Sequence, residues 1–238
     1  MPFVFIDNMR ENTKTLLNSG LSPPLLIIGA GHFGRRAAKL LAKRVSGEVW
    51  VIDENRESLD WIKGHDVIAV QMDGVDFLLD KAETLPENTQ IIPAVPIHLA
   101  YEFAKRAIEQ RFLIKPLRVP QELKSNLPYV WEGDDGSFLV SYANFKCPDD
   151  CPEPLYCTVT GEKRDKPLFA LLGEMPVKGF HIHIIRSRQM APGVGGYSLA
   201  ELLRLCATLE QGPGKWLVGT ACKCHGVLSG LEIKQSAG

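Results

Sequence analysis

The sequence has little of several things, and each shortage narrows what the chain can do. Net charge is almost absent: 27 Lys and Arg oppose 28 Asp and Glu, for a formal charge of −1 at pH 7. An extended basic surface, and with it nucleic acid as a partner, is therefore not expected. No apolar run approaches the roughly 18 residues that span a bilayer, so no membrane span is expected either. The opening stretch, MPFVFIDNMRENTKTLL, carries an acid at Asp7 and lacks an apolar core followed by small residues, so it does not read as a secretory signal. These shortages together predict a soluble, cytoplasmic protein. Cysteine is scarce as well, six in 238 residues, yet three of the six fall between positions 147 and 157. Where thiols are kept reduced, such clustering is expected for metal ligands or redox groups rather than disulfides. What the chain does have is apolar content, 45% of its residues, enough to bury one large core or two small ones.

The strongest pattern lies at residues 25 to 41, LLIIGAGHFGRRAAKLL. Four apolar residues predict a buried strand, Gly29, Gly31 and Gly34 follow at G-x-G-x-x-G spacing around His32 and Phe33, and the residues after them have helical periodicity. The three glycines meet different physical needs. Gly29 makes the tight turn, Gly31 lets a pyrophosphate approach the backbone, and Gly34 lets helix pack on strand. The helix N-terminus offers free N–H groups to the anion. A second apolar strand, Glu48 to Ile52, ends at Asp53, 24 residues after the first glycine, where an acid binds ribose hydroxyls. The acid favours NAD over NADP, while Arg56 nearby keeps NADP open. Strand-like 66–70, helix-like 75–83, strand-like 90–92 and an amphipathic 97–109 continue the alternation, with 112–114 as a candidate fifth strand. Such alternation predicts a parallel sheet with helices on both faces.

The stretches LLIIGAGHFGRRAAKLL, VIDEN and VIAVQMDGVDFLL resemble the TrkA-N, or RCK, nucleotide-binding domain over about residues 25 to 110. The resemblance implies an NAD(P)-binding Rossmann fold in which an acid–glycine pair after the third strand, here Asp73-Gly74, lies near the nucleotide. The chain departs from that family at Pro93-Ala94-Val95-Pro96, where two prolines remove two N–H donors at the mouth of the site. His98, just beyond, is a candidate general acid or base, more often met as a surface group.

After Pro116 the pattern changes, and we expect three parts: a lead segment 1–22, a dinucleotide-binding Rossmann domain 23–115, and a smaller cysteine-containing α/β domain 116–238. Residues 129–132 and 137–142 read as a hairpin, followed by KCPDDCPEPLYC. That loop has too few apolar residues to order itself. A metal or iron–sulfur cluster gathering Cys147, Cys151 and Cys157, with Cys222 and Cys224 of TACKCHG completing the set, is the leading explanation; a disulfide and a mobile loop are the others. The C-x3-C-x5-C spacing is that of neither a zinc ribbon nor a ferredoxin. Cys206, in the helical pattern SLAELLRLCATLEQG, reads as core. Residues 192–197 read as a glycine-rich loop feeding that helix, a second candidate anion site beside Arg186 and Arg188, and His181 and His183 share one strand face.

Two functions fit. One is an NAD(P)-dependent oxidoreductase or redox sensor with a cysteine-ligated centre, iron–sulfur favoured, working with a redox or regulatory protein partner or a second copy of itself. The other is a TrkA-N-like nucleotide-sensing module with structural zinc and no catalysis.

Overall fold

A computed structural model of the chain describes residues 4–6, 22–62 and 66–235. Two compact units emerge, one of residues 1–99 with 194–200, the other of 100–193 with 201–238.

In the first unit, β2 (Leu25–Ile28) and β3 (Val49–Asp53) lie at the centre. Their apolar runs are continuous, and Leu26, Ile27, Ile28, Trp50, Val51 and Ile52 have no exposed surface, as expected of parallel strands covered on both faces. With β1 (Val4–Ile6), β4 (Ile68–Gln71) and β5 (Gln90–Pro93) the parallel order is β1-β4-β3-β2-β5. The first strand comes from within the expected lead segment and pairs Val4 with Ile68. Helix α1 (His32–Leu41) buries Gly34, Ala37, Ala38 and Leu41, an i, i+3, i+4, i+7 stripe. Asn55 starts α2 (Arg56–Asp60) by accepting the N–H groups of Glu57 and Ser58, and α3 (Gly74–Lys81) buries Val75, Phe77 and Leu78.

Two expectations are corrected here. Residues 194–198 are not part of a glycine-rich loop: following the short strand β10 (Arg188–Ala191), they form β11 (Val194–Ser198), antiparallel to β5 with Tyr197 opposite Ile91. The N–H groups of Leu199 and Ala200 donate to Thr89 O and Glu87 O, so the end of this strand is tied to the segment leading into β5 rather than opened toward an anion. The candidate fifth strand exists as β6 (Phe112–Leu117), but it pairs antiparallel with β13 (His225–Gln235) in the second unit. Its burial alternates along the strand, which suits a half-exposed antiparallel partner and not a parallel strand covered on both faces.

The second unit is organised around β13, whose eleven residues serve three partners. Its first residues pair with β8 (Phe138–Ser141), its last with β6, and its other edge with β12 (Gly214–Ala221). β7 (Tyr129–Glu132) forms the expected hairpin with β8, and β9 (His181–Arg186) lies parallel to β12, giving the order β7-β8-β13-β12-β9. Along β9, His181 is exposed and stacks on Trp216 with ring centres 4.7 Å apart. Helix α4 (Leu99–Ile108) is fastened to this sheet by the Tyr101 hydroxyl, which donates to Gly230 O at 3.2 Å. Phe138, Leu168, Leu172, Leu217 and Leu228 form a fully buried core, to which α5 (Leu168–Glu174) contributes two leucines. Cys206 is buried in α6 (Leu199–Leu209) among Leu202, Leu205 and Leu209, a core position as its spacing implied. Among the described residues no helix is long and apolar enough to cross a membrane.

Phe138→Ala removes a fully buried ring from the second core. We expect a loss of about 3–5 kcal/mol in urea unfolding followed by fluorescence; a loss below about 1 kcal/mol would show that this core does not govern the stability of the unit.

Candidate functional site

The glycine loop connects β2 to α1 and is shaped by close backbone approach. Gly29 has φ +104°, and a Cβ there would stand 2.5 Å from Ala94 O; a Cβ on Gly34 would stand 1.9 Å from Gly29 O. Gly34 therefore makes room first for the loop itself, and only then for the strand, through Ile27 at 3.5 Å. Gly31 is different: nothing lies within 4 Å of the place a Cβ would take. Its backbone borders open space at the start of α1, as the pyrophosphate role requires. His32 and Phe33, the first residues of the helix, are exposed and meet edge to face at 5.1 Å. Arg35 lies with its guanidinium 5.2 Å from the ring centre of Trp61.

Asp53 ends β3 facing the loop. One carboxylate oxygen accepts the Ala30 N–H at 2.7 Å and the other the Asn55 N–H at 2.8 Å. A carboxylate has about four acceptor sites, so two hydrogen bonds fix its orientation and leave capacity for ribose hydroxyls. Asp73 caps α3, accepting from Val75 N at 3.0 Å and Asp76 N at 2.9 Å. A Cβ on its neighbour Gly74 would meet Ile28 Cγ2 at 2.2 Å, so this pair sits tightly against the end of β2. The Pro93–Pro96 stretch leans on the same loop, with Ala94 N donating to Ile28 O at 2.7 Å. His98 is half-buried just beyond it.

The cysteines belong to the second unit. Between β12 and β13, residues 222–225 make a tight turn in which Cys222 N donates to His225 O at 2.9 Å. Cys222 Sγ accepts the N–H groups of Cys224 at 3.4 Å and His225 at 3.3 Å. The imidazole of His225 stands between two thiols, Nε2 at 3.5 Å from Cys147 Sγ and Nδ1 at 3.9 Å from Cys222 Sγ. The loop 147–157 is held by its backbone: Cys151 O accepts Gly193 N at 3.1 Å and Gln189 Nε2 at 2.8 Å, and Lys223 Nζ donates to Glu153 O at 3.1 Å. Cys157 opens a turn of its own, its carbonyl accepting Gly161 N at 2.8 Å.

The environments of these thiols differ. N–H groups of Thr160 and Val159 stabilise the Cys157 thiolate and bring its pKa down to about 7. Burial raises Cys147 and Cys224, lowers His225, and pushes Cys222 up to about 12 despite its two N–H donors. All six cysteines are free. Among the described residues no three His, Cys, Asp or Glu side chains are already grouped as a metal cage. The expected ligands Cys147, Cys151, Cys157, Cys222 and Cys224 thus stand near one end of the second sheet without enclosing one point. His225, which lies with Cys222 and Cys224 in TACKCHG and forms C-x-x-H with Cys222, stands beside these thiols as a further donor.

The first unit has a Rossmann-like fold around the glycine loop, and its residues 25–85 match the TrkA-N domain. Residues 97–234 match a family described as "Uncharacterized protein, C-terminal domain". A protein of Archaeoglobus fulgidus, described as "Uncharacterized protein", is 34% identical over 221 residues, covering 87% of this chain and 98% of its own length. The chain belongs to the family of that C-terminal domain, joined to an N-terminal TrkA-N domain.

Two measurements check these geometries. Gly31→Ala is expected to fold with wild-type stability, yet lose dinucleotide affinity, whereas Gly34→Ala is expected to destabilise the first unit in thermal unfolding. Equal stability for the two variants would refute the packing described. In metal-free, reduced protein, alkylation read by mass spectrometry should reach Cys157 first, its rate rising with pH through about 7, and Cys206 and Cys222, both near 12, last.

Proposed function

We propose that the protein is a dinucleotide-responsive regulatory module in which NAD(H), bound at Gly29, Gly31, His32, Phe33 and Gly34 and fixed by Asp53, biases a conformational equilibrium without a bond being made or broken. The observation that carries this reading is the carboxylate of Asp53, oriented by Ala30 N and Asn55 N beside the open backbone of Gly31. A negative charge fixed there attracts ribose hydroxyls and repels a 2′-phosphate, which favours NAD(H) over NADP(H). Asp73 and Gly74 support the floor of the site at the start of α3. A ligand of this kind shifts a population only through unequal affinity for two states, so NADH and NAD⁺ must bind one state differently for the module to report redox poise. The cysteine-ligated metal, zinc or an iron–sulfur cluster, belongs to the second unit in this reading and supplies structure there. The redox-enzyme reading needs electron transfer between the dinucleotide and a cysteine-ligated centre; the regulatory reading needs only the dinucleotide loop.

Titration of NADH fluorescence tests the site. Asp53→Ala should weaken binding about 10- to 100-fold, since hydrogen bonds to a charged acceptor contribute about 1.5–3 kcal/mol each. Unchanged affinity, or equal affinity for NADPH in the wild type, would sink the assignment. Turnover of NADH with an artificial electron acceptor would replace the regulatory reading with an oxidoreductase.

A further inference from the structure

The donors at the β12–β13 turn carry more than a general expectation of metal. A tetrahedral zinc ion holds thiolate sulfur at about 2.3 Å and imidazole nitrogen at about 2.0–2.1 Å, which places the two ligands about 3.5 Å apart across the ion. Cys147 Sγ and His225 Nε2 are separated by 3.5 Å, though they lie 78 residues apart in the chain. A hydrogen bond between a thiol and an imidazole has a similar length, and the surroundings of the pair distinguish the two. The turn that presents His225 uses the sulfur of Cys222 as the acceptor for the N–H groups two and three residues later. That arrangement rigidifies a C-x-x-H turn and fixes the ring. The other ring nitrogen faces Cys222 Sγ at 3.9 Å, the position of the outer partner that orients a metal-bound imidazole. Further sulfur is at hand, because Cys151 and Cys157 lie within electrostatic reach of Cys147, and Cys151 and Cys147 within reach of Cys224. The backbone that brings this loop in is fixed by Gly193, whose φ is +72° and where a Cβ would stand 1.6 Å from Asp149 O.

We propose that the second unit binds one divalent, thiophilic cation of the zinc class, with Cys147 Sγ and His225 Nε2 as its first two ligands. Two thiolates from Cys151, Cys157 and Cys224 complete a four-coordinate shell, and Cys222 acts as the positioning residue on the far side of the ring. Among the described residues no three donors surround one point before the ion arrives, so binding draws the shell closed and each coordinated thiol releases its proton to solvent. The C-x-x-H turn and the single imidazole suit a mononuclear ion and not an iron–sulfur cluster. The proposal deepens the metal part of the reading above and is independent of the dinucleotide loop.

The test uses the full chain, stripped by a chelator under reducing, oxygen-free conditions and titrated with Co²⁺ and then Zn²⁺. We expect one Co²⁺ per chain, with thiolate-to-cobalt charge-transfer absorption and the intense ligand-field bands of four-coordination, all displaced by Zn²⁺. Cys147→Ser and His225→Asn should each weaken Co²⁺ binding at least about tenfold. Cys222→Ser should weaken it while leaving the thiolate charge-transfer intensity unchanged, and Cys206→Ser should change nothing. His225→Cys guards against simple misfolding: it should keep one Co²⁺ per chain and gain thiolate charge-transfer intensity. Wild-type affinity in both Cys147→Ser and His225→Asn, the weak bands of six-coordinate cobalt, or several irons with sulfide in protein purified without oxygen would each overturn the proposal. NADH titration of the same samples keeps the two sites distinct, because loss of NADH binding with cobalt binding intact sinks the dinucleotide reading alone.

Discussion

Two peptide groups in the first unit approach so closely that no side-chain atom fits between them. The carbonyl of Gly29 occupies the place where Gly34 would carry a Cβ, and this contact sets the angle at which α1 leaves β2. From it follows the open backbone at Gly31, because the chain turns away there before the helix begins. Asp53 then closes on the loop from β3 and accepts the Ala30 N–H, which ties the glycine turn to the neighbouring strand. Burial of β2 and β3 on both faces keeps that turn rigid, and rigidity is what lets a few hydrogen bonds discriminate between ligands.

The second unit solves a different problem. Its cysteine loop is polar and rich in proline, so it cannot fold by burying itself. Order comes instead from backbone hydrogen bonds to Gly193, Gln189 and Lys223, and from β13, a strand long enough to carry β8 at one end and β6 at the other. The turn that starts β13 carries His225 and Cys222, so the longest strand of the sheet also positions the imidazole. Burial raises the Cys147 thiol and pushes Cys222 up to about 12, and the His225 ring stands between these two sulfurs.

Much of the candidate nucleotide loop's structure could be read in advance because its parts are close in sequence. Strand, glycine loop, helix, second strand and Asp53 follow one another within about thirty residues of a βαβ unit, and each is dictated by local periodicity or backbone sterics. Asp73-Gly74 came with the family resemblance, and its physical role, capping α3 against Ile28, appeared only with the fold. The thiol site was half legible. Its cysteines stood out by clustering, with His225 beside two of them, but the meeting of His225 with Cys147 across 78 residues did not.

The sequence by itself determined the parallel Rossmann core, the glycine loop with Asp53 beside it, and the core position of Cys206. These depend on short-range patterns of apolar residues, glycines and charge. Only the tertiary structure decided that Val4–Ile6 extends the first sheet, that Val194–Ser198 returns from far along the chain to run antiparallel to β5, and that β6 belongs with β13. Only it set an imidazole between two thiols. Strand pairing and ligand convergence are long-range choices, governed by which faces can be buried together, and no local stretch of sequence carries that information.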